Sequence, residues 1–275
     1  MEKSPIEGKV ILITGATDGI GKQTALELAQ MGAQILIHGR DLDKTAKTCE
    51  ELKLQTNNDA VFGFVADFAD LNQVRKLVRE VTNQFDHLDV LVNNAGTYFK
   101  QRLLSAQGYE LNFAIGHLAP FLLTNLLLNS LLISPSGRIV TVSSSAHASA
   151  VVDFENLQGE KHFDGWQAYC LAKLGNLFMA LELADRLKNT SVTSNAVHPG
   201  TIDTKLYRST GFTYNSRSVV DGAATSVYLA SDPEVEDING QYSFRKKAVN
   251  PAAIALDNQL RLRFWEESKA LCGLD

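Results

Sequence analysis

Apolar residues fall in short, dense blocks with amphipathic stretches between them. Residues 9–14, 33–38, 60–66, 88–92, 138–143, 191–198 and 241–244 are compact runs, apolar throughout rather than alternating. Such runs suit strands that are covered on both faces. Helical spacing occupies 21–31, 42–54, 72–85, 108–132, 169–187 and 221–230. Strand then helix, recurring about every 25 residues in the first half, predicts βαβ units with right-handed crossovers. The pattern is that of a doubly wound α/β chain with a parallel sheet of about seven strands. The tail, 251–271, has helical spacing too, with Leu256, Leu260, Phe264 and Trp265 as candidate docking residues. No tandem repeat, low-complexity tract or Pro/Gly/Ser linker divides the chain, so residues 1–275 are expected to form one domain.

Composition narrows the class. With 45% hydrophobic and 21% charged residues the chain can build a large core, which excludes disorder and collagen-like or disulfide scaffolds. A net charge of −5 argues against a nucleic-acid partner. Cys49, Cys170 and Cys272 lie far apart and read as reduced thiols, which points to a cytoplasmic protein. His117, His147 and His198 form no metal-ligand spacing, so no metal is expected. The start of the chain lacks the pattern of a signal peptide. The most apolar window, 118–133, is interrupted by Pro120, Thr124, Asn125, Asn129 and Ser130. It falls short of the roughly 20 residues a spanning helix needs, so a buried or subunit-contacting helix is expected and no integral membrane segment.

The chemistry begins between the first strand and the first helix, at Thr14-Gly15-Ala16-Thr17-Asp18-Gly19-Ile20-Gly21. Glycines there permit a tight turn and let the backbone approach a pyrophosphate at the helix N-terminus. Lys22 after Gly21 invites comparison with a phosphate P-loop, but the spacing from Gly15 is too long and Gln23 stands where Ser or Thr is required. An ordinary strand-to-helix turn is the competing reading of the loop alone.

Asn93-Asn94-Ala95-Gly96 after the fourth strand, Tyr169-x-x-x-Lys173, Asn112, Ser144 and Pro199-Gly200 follow in order. Together with the glycine loop they resemble the short-chain dehydrogenase/reductase family, from about residue 8 to the C-terminus. The resemblance implies a three-layer Rossmann fold and an oxidoreductase that moves a hydride between a nicotinamide cofactor and a carbonyl or alcohol. It makes Gly15, Thr17, Asp18, Gly19, Ile20 and Gly21 the pyrophosphate loop, and Asn94, Ala95 and Gly96 the cofactor floor. It places Asp67 at the adenine, where an N-terminal helix acid is the equal alternative. Pro199, Gly200, Ile202 and Thr204 match PGxxxT, with the backbone near Ile202 expected at the carboxamide and Thr204 there or at the pyrophosphate.

The second strand ends His38-Gly39-Arg40, with glycine where an NAD enzyme would place an acid. Arg40, helped by Lys44, can bond a 2′-phosphate, so NADP(H) is favoured. A solvated arginine diverted by Asp41 is the alternative. Tyr169 and Lys173 share one helix face. The ammonium, together with the oxidised cofactor's cationic ring, is expected to lower the phenol's pKa so that Tyr169 serves as general acid/base. Lys173 would also hold the nicotinamide ribose. By resemblance Ser144 polarises the substrate oxygen, while Ser143 reads as a strand-end residue. Asn112 orders a relay water beside the lysine, or is simply a satisfied buried amide. His147 is a candidate substrate neighbour or a plain loop histidine.

Gly39-Arg40-Asp41, the long loop before Tyr169-Cys170, Ala196-Val197-His198-Pro199-Gly200 and Phe264-Trp265-Glu266-Glu267-Ser268 are closer to the retinol dehydrogenase-like branch. That branch uses NADP(H) on apolar carbonyls and alcohols, and its members are often membrane-attached. This chain shows no N-terminal anchor, and its substrate loop, about 201–220, is short and polar, with Tyr207, Arg208, Phe212, Tyr214 and Arg217. The expected substrate is therefore a medium-sized aldehyde or ketone. A protochlorophyllide-type C=C reductase ranks lower, lacking that group's late insertion, and a non-catalytic NADP-binding scaffold is the alternative of a different class. The apolar helices 108–132 and 169–187 suggest a homodimer or homotetramer, as is common in the family.

Overall fold

The computed structural model describes residues 4–213 and 215–274. Tyr214, named above in the substrate loop, lies outside the described residues. The chain alternates β1 (Val10–Ile13), α1 (Gly19–Gln30), β2 (Gln34–Gly39), α2 (Leu42–Thr56), β3 (Val61–Val65), α3 (Leu71–Gln84) and β4 (Val90–Asn93). There follow α4 (Leu111–Phe113), a π-helical turn (Ala114–Leu118), α5 (Ala119–Ile133), β5 (Gly137–Val142), α6 (Gly165–Arg186) and β6 (Val192–His198). Then come α7 (Lys205–Thr210), α8 (Val219–Ser231), β7 (Tyr242–Phe244), β8 (Lys247–Ala248) and α9 (Asn258–Cys272).

The strands form one sheet in the order β3-β2-β1-β4-β5-β6-β7-β8, parallel except for the β7–β8 hairpin. The doubly wound Rossmann architecture expected from the pattern is therefore present, with a two-residue antiparallel strand added at one edge. Val10 and Leu12 of β1 face one side with Leu36, Leu91 and Ile139, against α3, α5 and α6. Ile11 and Ile13 face the other with Ile35, Ile37, Val92 and Val140, against α1, α2 and α8. Successive side chains of a strand point to opposite faces, so a sheet buried twice must be apolar at every position. The order reverses at β1 and β4, and in such sheets ligands bind at the carboxyl ends beside that switch.

The expected helix over 108–132 begins at Leu111 and contains the π turn. Pro120 has no N–H to donate to the carbonyl four residues back, and the widened turn just before it absorbs the missing bond. Residues 111–133 reach a mean hydropathy of 1.5 over their best window, enough by composition to cross a membrane, yet 72% of that window is buried inside the fold. The tail supplies part of this cover. Trp265 meets Phe121 at 4.7 Å and Phe264 meets Phe178 at 5.4 Å. Part of the apolar surface that suggested self-association is thus met by α9 of the same chain. Phe264 and Trp265 dock as expected, whereas Leu256 is 57% exposed and does not. Arg261 of α9 bonds Glu182 of α6 at 3.0 Å, adding a buried ion pair to the seam.

Candidate active site

The glycine loop is shaped by what lies behind it. Gly15 has φ +63, and a side-chain carbon there would come within 2.9 Å of the Ala95 backbone. Asn94 donates through Nδ2 to the carbonyls of Thr14 (2.7 Å) and Gly15 (3.2 Å), and the N–H groups of Asn94 and Ala95 both reach Thr14 Oγ1 at 3.0 Å. The Asn93–Gly96 segment is therefore the clamp that holds the loop. Gly21 packs against Asn94 and the Gly15 carbonyl. Asp18 caps α1 by accepting from Gly19 N at 2.9 Å, and the first-turn N–H groups of Ile20 and Gly21 have no protein partner among the described residues. This is the donor set a pyrophosphate requires.

Three histidines complete this edge, and sequence reasoning missed what they do. His38 is buried and stacked on Phe68. Its Nδ1 accepts from Gly15 N at 3.3 Å, so its Nε2 carries the proton donated to Ala66 O at 2.9 Å. Burial pulls its pKa down to about 4, which keeps that tautomer neutral. His198 Nδ1 accepts from the N–H groups of Ser145 (3.3 Å) and Gly200 (3.4 Å), and burial takes its pKa to about 4. His147 accepts from Ala252 N through Nε2 at 3.0 Å and donates through Nδ1 to Ser144 O at 2.6 Å. It is a tie between the serine loop and the tail. A histidine within a buried strand run, as at 38 and 198, was the available signal.

At the far end of β2, Arg40 is exposed with no hydrogen-bond or ion-pair partner among the described residues. A side-chain carbon at Gly39 would meet Thr45 Oγ1 and, at 2.5 Å, Thr17 Cγ2, so the position is closed to the acid of an NAD-type site as long as both threonines stay where they are. Lys44 pairs with Asp18 at 3.0 Å, and Lys205 pairs with the same carboxylate at 2.9 Å. Lys205 first, then Lys44, holds the Asp18 pKa at about 2. Asp67 accepts from Ala69 N at 3.0 Å in the turn after β3, while Asp70 caps α3.

Ser144, Tyr169 and Lys173 come together. The Ser144 hydroxyl acts on the Tyr169 phenol to lower its pKa, and Lys173 Nζ lies 5.7 Å from the Tyr169 ring centroid. Lys173 Nζ donates to Val142 O at 3.1 Å and sits beside Gly96. Ser143 Oγ donates to Lys173 O at 2.7 Å, fastening α6 to the end of β5. Burial sets both titrations in the protein alone: the lysine falls to about 8 and the phenol rises to about 12. For the phenol, desolvation outweighs the lowering effect of Ser144; the lowering expected from Lys173 and the oxidised cofactor's ring together belongs to the complex. Asn112 is not bonded to Lys173. Its amide accepts from Phe99 N at 2.7 Å and donates to Phe99 O and to the buried Glu110, the satisfied-amide alternative.

The segment after Pro199-Gly200 meets the glycine loop at Thr204, against Gly19, and at Lys205, paired with Asp18. Arg217 bonds Thr201 O and Asp203 N, which leaves the N–H and C=O of Ile202 outside that ladder. Thr204 caps α7 and packs against Gly19, and Gly200, with φ +95, follows Pro199 beside Phe244. Among the described residues no His/Cys/Asp/Glu group could hold a metal.

A model of the short chain dehydrogenase family matches residues 9–214. Human retinol dehydrogenase 13 is 36% identical over 99% of this chain and 87% of its own length. Human retinol dehydrogenase 11 is 37% identical over 98% and 87%. Among solved structures, an uncharacterized protein of Mycobacterium paratuberculosis superposes with a TM-score of 0.83 at 28% identity, covering 100% of this chain and 97% of that one. A short chain dehydrogenase of Burkholderia cenocepacia in complex with NADP gives 0.70 at 25% identity, covering 87% and 96%. The chain is an oxidoreductase that belongs to the short chain dehydrogenase family, in its retinol dehydrogenase-like branch.

Proposed function

We propose that this enzyme reduces a medium-sized apolar aldehyde or ketone with NADPH, with Tyr169 as general acid. The observation that carries the reading is a half-buried phenol between the Trp166 ring at 5.6 Å and Lys173 Nζ at 5.7 Å, held protonated at neutral pH by desolvation. That is the state a proton donor needs. Gly15, Thr17, Asp18, Gly19, Ile20 and Gly21 would hold the pyrophosphate, Arg40 the 2′-phosphate and Asp67 the adenine. Asn94, Ala95 and Gly96 would form the floor, with Pro199, Gly200, Ile202 and Thr204 at the nicotinamide. The bound cofactor supplies the hydride. Ser144 orients the carbonyl oxygen, and Tyr169 Oη gives it a proton as the alcohol forms. Lys173 Nζ, still protonated at pH 7, steadies the phenolate left behind and holds the ribose hydroxyls. In this reading the whole chain works as one dinucleotide-binding unit, with about 201–220 as its substrate loop. The NADP-bound relative and the retinol dehydrogenase relatives support the cofactor and the apolar substrate.

The test pairs two measurements. Tyr169→Phe is expected to keep NADPH binding and lose about 10²- to 10⁴-fold in turnover. Arg40→Ala is expected to weaken NADPH about tenfold and leave NADH unchanged, a change of the size expected for a charge-assisted phosphate contact. Equal turnover in Tyr169→Phe and wild type would sink the mechanism, and equal affinity for the two cofactors would sink the choice of NADP(H).

A further inference from the structure

Aromatic rings gather around the proposed acid. Trp166, one turn before Tyr169 on α6, stacks on it with centroids 5.6 Å apart and planes 24° apart. Tyr98 meets the same phenol edge-on at 6.1 Å. Phe212, from the segment after α7, meets Trp166 edge-on at 5.1 Å and is 40% exposed. The rings thus run from the phenol outward to the substrate loop. Within that loop the cations pair with carboxylates, Lys205 with Asp18 at 2.9 Å, Arg208 with Asp203 at 2.8 Å and Arg217 with Asp221 at 4.0 Å. The loop reaches Tyr169 through Trp166, which it meets with the Phe212 ring.

We infer that this aromatic set selects carbonyls conjugated to a flat ring system, aryl aldehydes and aryl ketones, over saturated carbonyls of the same size. Trp166 and Phe212 are the specificity-determining residues. The inference rests on the carbonyl reduction proposed above. Aromatic faces and edges carry opposite partial charge, so a flat conjugated partner gains from offset or edge-on packing what a puckered saturated ring does not. Conjugation also keeps the carbonyl in the plane of its ring, so gripping the ring aims the oxygen at Ser144 and Tyr169. Positioning of this kind enters kcat/KM directly. Trp and Phe do this at small entropic cost, having two side-chain torsions each.

The experiment reads kcat/KM with NADPH for benzaldehyde and for cyclohexanecarbaldehyde, in wild type, Trp166→Leu, Trp166→Phe and Phe212→Leu. Intrinsic reactivities cancel when the ratio of the two substrates is compared between variants. The ratio is expected to fall roughly threefold to tenfold when either ring is removed, in Trp166→Leu and in Phe212→Leu, and to stay near wild type in Trp166→Phe. NADPH affinity is expected to hold in all of them, which separates weakened selection from a damaged fold. An unchanged ratio in Trp166→Leu with NADPH binding intact overturns the inference. Should wild type reduce neither compound, the proposed reaction has failed, and binding then decides the aromatic selection. The chain has two tryptophans, so in Trp265→Phe only Trp166 fluoresces. Half-saturation of the Trp166 signal at a lower concentration of benzaldehyde than of its saturated partner upholds the selection, and equal half-saturation overturns it.

Discussion

The glycine-loop edge and the tail edge of this molecule are built by different means. Around Gly15 backbone lies on backbone, locked by Asn94, Thr14 and His38. Around Phe264 side chain lies on side chain, in a cluster of rings from α5, α6 and α9. The first kind of packing tolerates no added atom and little motion. The second tolerates redistribution but depends on bulk. A site that must hold a cofactor within tenths of an ångström uses the first, and a seam that must only exclude water uses the second.

Four perturbations would break or sharpen this contrast. The largest is expected at the tail: Phe264→Ala removes a fully buried ring and should cost about 3–5 kcal/mol in chemical denaturation. Turnover of the folded fraction is expected to change little. Gly15→Ala should do the reverse. Its φ of +63 and its approach to Ala95 predict a loss of cofactor affinity of about 100-fold by titration, with a smaller fall in stability. Equal effects of both variants on both readouts would erase the distinction.

The third concerns acid. His38 and His198 bind a proton more weakly folded than unfolded, with folded values of about 4 against an ordinary 6.5. Their contribution is complete above about pH 6.5 and is lost as pH falls toward 4, by at most about 3 kcal/mol each. Unfolding free energy measured across that window should fall, and should fall less in His38→Asn. A flat profile would show that the glycine loop does not depend on a neutral imidazole. The smallest effect is expected at Lys205→Ala. Its ion pair with Asp18 is largely solvent-exposed, so stability should barely move and KM should rise no more than about threefold.

The same contrast explains what could be read from the chain beforehand. The glycine loop, Asn94–Gly96 and Tyr169–Lys173 are local spacings whose geometry follows from a turn or a helix, and the structure places them together. Doubly covered strands were legible because burial on both faces leaves no polar position. The starts of α4 and α6 were misjudged by a few residues, since Glu110 and Asp164 cap them from outside the apolar repeat. The α7 turn and the two-residue β8 were too short to leave a period, whereas β7 falls within the expected strand at 241–244. Asn112 could be read either as a relay amide or as a satisfied one, because nothing in sequence reveals that Phe99 and Glu110 engage it. The roles of His38, His147 and His198 depend on partners 28, 105 and 53 residues away, where no periodicity reaches.

The His147 tie has a consequence for how the enzyme comes into being during synthesis. Its Nε2 waits for the N–H of Ala252, a group made 105 residues later. A nascent chain that has passed Lys173 already holds every catalytic side chain, yet its serine loop still lacks both His198 and the Ala252 N–H. Competence therefore arrives late, with the tail, and a fragment cut short of residue 252 would carry all the motifs without a finished site.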